Sequence, residues 1–292
     1  MRWRIPYALL ALTWGSSFWF IKLGLESFSA VQVGFLRVTL GAGTLLLISA
    51  ITRTPLIRDW RVLRHLFVLA MCLNSAPGVL FALGETRISS VLAAILNATT
   101  PLATLVMTLL AFRDQRPSRA QRLGLLIGFA GVLVVLGIWQ GVGSNALVGV
   151  LACLLAVSGY GISFPYSRRF IANVPYSRTS IATAQVTIAA LQLLPVVLIA
   201  GPEFHAPSKA SILGMLVLGG LGSGVAYIWN YAVIMQAGAT VASTVTYWTP
   251  LVAVFAGVAF LGEGLTWFEP VGALIVLCGV AVSQGKLRPR RG

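Results

Sequence analysis

Long apolar stretches recur from one end of this 292-residue chain to the other, and no polar segment between them is long enough to form a separate soluble domain. A hydrocarbon core roughly 30 Å thick needs about 20 helical residues to cross it. The chain therefore accommodates about ten crossings with short loops and little else. Only 10% of its residues are charged, against roughly 25% in a soluble domain. Helices are predicted at about 5–24, 31–51, 64–84, 89–112, 120–139, 147–167, 179–200, 210–236, 240–261 and 267–285. Transmembrane β-strands would alternate polar and apolar residues, which these segments do not. The expected fold class is an all-α membrane protein.

The formal charge of +14 does not indicate nucleic acid, because the basic residues sit in short clusters between apolar runs, as topology signals do. With a cytoplasmic N-terminus, seventeen Lys and Arg fall inside and three (Lys22, Arg87 and Lys209) outside, with Arg37 within a helix. A missed or extra helix would spoil that alternation downstream. Arg2 and Arg4 open a run that continues to about Leu23 without a small-x-small cleavage site, so it reads as a first retained helix. The three cysteines, Cys72, Cys153 and Cys278, lie inside apolar runs, and their odd number implies no disulfide framework.

An internal repeat organises the chain. Trp14-Gly15-Ser16-Ser17-Phe18 matches Tyr160-Gly161-Ile162-Ser163-Phe164, Thr100-Pro101-Leu102 matches Thr249-Pro250-Leu251, and Gly124 and Gly131 match Gly272 and Gly279. The offset stays between 146 and 149, which predicts two five-helix halves, 1–140 and 141–292. Five is odd, so the second half enters the membrane from the opposite side. Inverted repeats of this kind belong to secondary transporters, with the substrate near midplane between the halves.

The segment Gly219-Gly220-Leu221-Gly222-Ser223-Gly224-Val225-Ala226-Tyr227-Ile228-Trp229-Asn230-Tyr231-Ala232 resembles the eighth helix of the EamA branch of the drug/metabolite transporter superfamily. The Trp14–Phe18 start, Pro250 followed by Leu261-Gly262-Glu263, and the glycine-rich tenth helix are similar to that family too. The resemblance covers nearly the whole chain. It implies a ten-helix exporter of small metabolites in a bacterial inner membrane. Within the family, the size and the aromatic-rich central helices look most like the bacterial aromatic-amino-acid exporters.

Polar groups at membrane depth are costly and tend to face a cavity, a partner helix or a pathway. On that ground the predicted substrate-binding residues are Asn74, Phe81, Asn97, Tyr160, Ser163, Tyr227, Asn230, Tyr231, Tyr247 and Trp248. Tyr227, Asn230 and Tyr231 share one helix face by their spacing. Pro77, Gly78 and Gly224 are the expected hinges, proline because it removes a backbone donor and frees a carbonyl toward a partner. The competing reading is ordinary: Ser and Thr bond back to their own helix, small residues let helices pack, and Trp and Tyr anchor at the interface. GxxxG at Gly124–Gly128 and Gly220–Gly224 marks close helix packing, with homodimerisation the alternative, so monomer and homodimer stay open.

Arg37 lies about six residues into its helix. It is expected to snorkel outward, a substrate carboxylate being the other reading, and Lys22 is expected to snorkel as well. Glu26, Asp59, Glu85, Asp114, Glu203, Glu263 and Glu269 fall in loops or at helix ends, and His65 and His205 in loops. With no acid or histidine at midplane, transport down the substrate gradient is the simpler expectation, coupling through Glu85 or Glu26 the alternative. The chain lacks HExxH, the P-loop lysine motif and GxSxG, so the protein is expected not to be an enzyme, and neither cofactor nor metal is expected. The expected partners are a small-molecule substrate and membrane lipid, with no nucleic acid.

The rivals are export of a purine, drug or nucleotide sugar, a lipid-modifying membrane enzyme, and a passive channel. An enzyme would need a polar catalytic cluster at one interface. A channel would lack inverted halves. The charge asymmetry predicts that both termini are cytoplasmic: an alkaline phosphatase fusion after Arg291 should be inactive, and an active one would break the ten-helix count.

Overall fold

The computed structural model of the chain describes residues 3–111, 118–140, 143–201, 206–238, 241–242 and 244–283. Among them there is no strand, and nine helices are long and apolar enough to cross a membrane. They are α1 (Arg4–Leu25), α2 (Ala30–Ile51), α3 (Trp60–Glu85), α4 (Ser90–Leu110), α5 (Arg119–Gln140), α6 (Asn145–Phe170), α7 (Arg178–Ala200), α8 (Lys209–Ala237) and α9 (Thr244–Leu261). A tenth, α10, is apolar and is described over Phe268–Ser283, where the described residues end. Asp114, Glu203 and His205, and the basic residues Arg113, Arg116, Lys286, Arg288, Arg290 and Arg291, lie outside the described residues.

The outer surface is what a bilayer requires. Leu47, Leu126, Leu198, Phe255 and Leu274 are exposed, and Ile199 is 87% exposed. Such contiguous apolar surface is rare on a soluble protein. Exposed Trp60 opens α3, while Trp139 and Trp267 stack at 5.8 Å between the end of α5 and the start of α10, the interfacial position of tryptophan.

Serines set where most helices begin. The hydroxyls of Ser29, Ser89, Ser118, Ser177 and Ser208 each accept from the backbone N–H three residues on, which satisfies one of the first-turn donors that a helix leaves unpaired. Ser29 with Gln32 and Ser118 with Gln121 complete reciprocal capping boxes. The predicted starts of α2, α4, α5, α7 and α8 therefore fall within one residue of the observed ones. Asp59 caps α3 through the Arg61 N–H, so α3 starts at Trp60 rather than residue 64, and His65 is in the helix rather than in a loop. There it bonds the Tyr166 hydroxyl at 2.8 Å and stacks on Phe170.

Four of the long helices are irregular at their centres. α3 widens to a π-helix over Met71–Ser75, just before Pro77, and α8 does so over Val217–Val225, a stretch holding four glycines. α4 is interrupted after Asn97 and resumes at Thr100-Pro101. α9 opens as a 3-10 turn, Thr244–Tyr247, and becomes α-helical at Thr249-Pro250. Proline lacks the N–H, and it disfavours helical conformation in the residue before it.

Glycines bring two helix pairs into backbone contact. In α5 against α10, a Cβ on Gly279 would lie 2.4 Å from the Gly128 nitrogen, and one on Gly131 2.6 Å from the Val276 nitrogen. In α2 against the wide turn of α8, a Cβ on Gly219 would lie 2.5 Å from Leu40 Cβ. The small residues of both GxxxG motifs thus serve helix pairs inside one chain. Replacing Gly279 by Leu must part α5 from α10, and overpacking of this kind costs about 1–3 kcal/mol. Gly43, in α2, has no atom within 4 Å of a built Cβ, so Gly43→Ala should be neutral or stabilise by up to ~1 kcal/mol. Melting temperatures of both variants in detergent check the contrast.

Candidate functional site

Three prolines shape the centre of the molecule through the carbonyls they leave without a helical donor. Each lacks the N–H that would bond the carbonyl four residues back. In regular α-helix those carbonyls would be Leu73 for Pro77, Asn97 for Pro101 and Thr246 for Pro250. All three carbonyls are bonded by side chains instead. The Tyr227 hydroxyl donates to Leu73 O at 3.0 Å, the Thr100 hydroxyl to Asn97 O at 2.6 Å, and the Thr249 hydroxyl to Thr246 O at 2.9 Å. The two Thr-Pro breaks also meet, because the Asn97 amide donates to the Thr249 hydroxyl at 3.2 Å.

Leu73, Asn97 and Thr246 all line one cavity of ≈ 40 Å³. Aromatic rings make half of its wall. Trp14 and Tyr227 meet edge to face at 5.8 Å, as do Phe18 and Phe81 at 5.5 Å, and Tyr160 lies 5.8 Å from Phe81. Ser17, Phe164, Ile21 and Arg37 complete the lining. The Trp14 indole donates to Gly222 O at 3.2 Å, which ties α1 to the wide turn of α8. At ~10–15 Å³ per water, the cavity has room for about three waters, so a metabolite enters only if the walls move.

Arg37 does not snorkel outward. It lines the cavity, its stem passes 3.5 Å from where a Gly78 Cβ would be, and its Nε donates to the Ser223 hydroxyl at 3.1 Å. Lys22 turns inward as well and donates to the Glu85 and Ile88 carbonyls at 2.6 and 3.0 Å, closing the C-terminal end of α3. Glu85 is the last residue of α3 but is fully buried, and neither carboxylate oxygen has a hydrogen-bond partner among the described residues. The close approach of α6, where a Gly84 Cβ would lie 2.5 Å from Cys153 Sγ, keeps water from it. Glu263 instead accepts from the Ser90 and Val91 N–H groups and the Ser90 hydroxyl, an acid at the N-terminus of α4. The positive φ of Gly262, 63°, turns the chain so that Glu263 points back at it.

Of the ten predicted binding residues, the structure brings Phe81, Asn97, Tyr160 and Tyr227 together at the cavity. The other six sit elsewhere. Tyr231 is one turn beyond Tyr227, fully buried, and donates to the Gln185 amide oxygen. Gln185 in turn donates to Asn74 Oδ1 at 2.6 Å, so Asn74 faces α7. Ser163 bonds back to the Tyr160 carbonyl. Asn230 is fully buried, with neither amide atom partnered among the described residues. Tyr247 and Trp248 follow Thr246 in a tight turn of about three residues per revolution, which rotates them off the cavity, and Trp248 ends 52% exposed. Pro77 and Gly224 sit at the two π segments. Outside the ten, the wall also takes Trp14, Ser17 and Thr246, whose polar groups stand at membrane depth in the sequence, and Phe18, Ile21, Leu73 and Phe164, which carry no signal distinguishing them from packing residues. Arg37 did carry one, the cost of a cation at membrane depth.

The EamA-like transporter family matches this chain twice, over residues 2–137 and 147–284. Similar proteins include the uncharacterised transporter YdfC of Bacillus subtilis, 26% identical over 97% of this chain and 91% of that protein. The uncharacterised inner membrane transporter YedA of Escherichia coli K12 is 27% identical over 95% of this chain and 89% of its own length. Protein PagO of Salmonella typhimurium is 26% identical over 86% of this chain and 82% of its own length. A crystal structure covering 94% of this chain and 98% of its own superposes with a TM-score of 0.66 at 17% identity, a likeness of fold. The chain, a multi-pass membrane protein whose relatives are named as transporters, belongs to the EamA-like transporter family.

Proposed function

We propose that the protein is a carrier of a bacterial inner membrane that exports small amphipathic metabolites, amino acids with aromatic ones among them, by alternating access. The two halves, 1–140 and 141–292, would be inverted repeats that rock about the cavity. The π segments of α3 and α8, with Pro77, Gly78 and Gly224, would be the hinges. The observation that carries this reading is the composition of the cavity wall. It draws Trp14, Arg37, Phe81 and Asn97 from the first half and Tyr160, Phe164, Tyr227 and Thr246 from the second, so relative motion of the halves changes its size directly. Rings accept many shapes and favour aromatic side chains over small ones. The Asn97 amide and the Arg37 guanidinium supply the polar contacts that a solute leaving water needs.

The ring at Tyr227 separates this reading from mere packing. In proteoliposomes, Tyr227→Ala should weaken exchange of labelled phenylalanine about three- to tenfold more than exchange of alanine, the size of a lost ring contact. Tyr227→Phe keeps the ring and loses the bond to Leu73, so it should retain the preference. Trp248→Ala, outside the cavity, should leave both substrates unchanged. Equal losses of phenylalanine and alanine exchange in Tyr227→Ala would sink the role given to the ring.

Because the cavity wall holds no acid or histidine among the described residues, substrate counterflow should run at the same rate after the proton gradient is collapsed. Abolished counterflow would overturn the facilitated mechanism and direct attention to Glu85.

A further inference from the structure

The two halves carry one polar pair each at corresponding places, and the two pairs differ in chemistry. Arg37 in α2 bonds Ser223 in the wide turn of α8. Gln185 in α7 bonds Asn74 in the wide turn of α3. Arg37 and Gln185 are 148 positions apart, and Asn74 and Ser223 are 149 apart, the offset of the sequence repeat. The second pair is closed: Gln185 is fully buried, gives its N–H to Asn74 and accepts from Tyr231. The first is open: Arg37 lies in the cavity wall, and among the described residues only its Nε is bonded, to Ser223.

Arg37 is the one Asp, Glu, Lys or Arg in that wall, and no carboxylate pairs with it among the described residues. Glu85 feels the charges of Lys22 and Arg37, but its oxygens have no hydrogen-bond partner among the described residues and Lys22 is spent on backbone carbonyls. A guanidinium presents its donors as a planar fork that matches a carboxylate with two parallel hydrogen bonds. An unpaired cation walled by aromatic rings is costly, and an arriving anion that pairs with it removes that cost.

We propose that Arg37 is the carboxylate anchor of the cavity. The transported solute carries an organic carboxylate that takes the two terminal guanidinium nitrogens, and its apolar body lies on Trp14, Phe18, Phe81, Tyr160 and Phe164. This rests on the carrier reading above and narrows it. With no acid in the wall, an ammonium group on the solute is tolerated but not required. The carboxylate is the recognised group.

The test is a ligand series on purified full-length protein. Thermal stabilisation in detergent is measured with phenylalanine, 3-phenylpropionate, phenylalanine amide and phenethylamine. The two carboxylates should stabilise the protein, and the amide and amine should need concentrations ten- to a hundredfold higher, the loss expected for a charge-assisted contact. Arg37→Gln should erase that difference, and Arg37→Lys should keep part of it. If Arg37→Gln does not fold, the series on the unaltered protein decides alone. Equal stabilisation by amine and carboxylate, or by none of the four, overturns the anchor. Exchange of labelled phenylalanine in proteoliposomes separates the two readings. Carboxylate-selective binding without exchange defeats the carrier reading and leaves the anchor standing. Exchange whose concentration dependence is unmoved by Arg37→Gln defeats the anchor alone.

Discussion

A membrane offers the backbone no water, so every carbonyl a proline leaves without a donor must find one inside the protein. That constraint organises the centre of this molecule. In regular α-helix Pro77, Pro101 and Pro250 would leave the carbonyls of Leu73, Asn97 and Thr246, and the Tyr227, Thr100 and Thr249 hydroxyls answer them. Two of the three answers are local, a threonine directly before the proline. The third reaches from α8 to α3 and so joins two long helices at their irregular turns. The cavity forms where these repairs converge, because a helix that departs from regular packing leaves space its neighbour does not fill. Irregular backbone at membrane depth is tolerated where protein or a cavity covers it, and each of the three residues lines this one.

Away from that centre the packing follows a different rule. Lipid gives helices no hydrophobic reason to associate, so close approach of small residues takes over. The contact of α5 with α10 is backbone against backbone at Gly124, Gly128, Gly131, Gly272 and Gly279. The contact of α2 with α8 brings Arg37 and Ser223 together because Gly219 and Gly41 let the helices meet. The glycines of α8 thus both loosen their own helix and admit the neighbour that carries the cavity's cation.

The helices were legible because the signals that define them are local: apolar length, a serine cap, a proline. Pro77 also marks the irregular centre of α3, since a missing N–H is visible in the sequence; the two Thr-Pro pairs carry the same signal, but the sequence reading uses them only as matched repeat positions and expects unbroken helices there. Which side chains reach the cavity was less legible. Tyr227 and Tyr231 share a face, yet one turn of ~5.4 Å separates a wall residue from a packed one bonded to Gln185. Trp248 is an aromatic residue near a predicted helix centre, but the 3-10 geometry before Pro250 points it outward. Asn74 is polar and central, but its partner is 111 positions away in α7, a pairing that no local pattern reveals. Glu85 and Lys22 looked like surface charges because they stand at helix ends. Their burial comes from helices contributed by other parts of the chain.

The seam between α5 and α10 bears on how the protein is made. Its two sides are Gly124–Gly131 and Gly272–Gly279, so it cannot close until α10 has been synthesised, about 140 residues after α5. Until then Gly124 and Gly131 of α5 lack their partners, while Gly128 already faces Leu102 of α4. The last described helix to leave the ribosome docks on one inserted long before. Closure over so great a sequence separation is a slow step. It is also the point at which a partly assembled chain would be most exposed to membrane quality control.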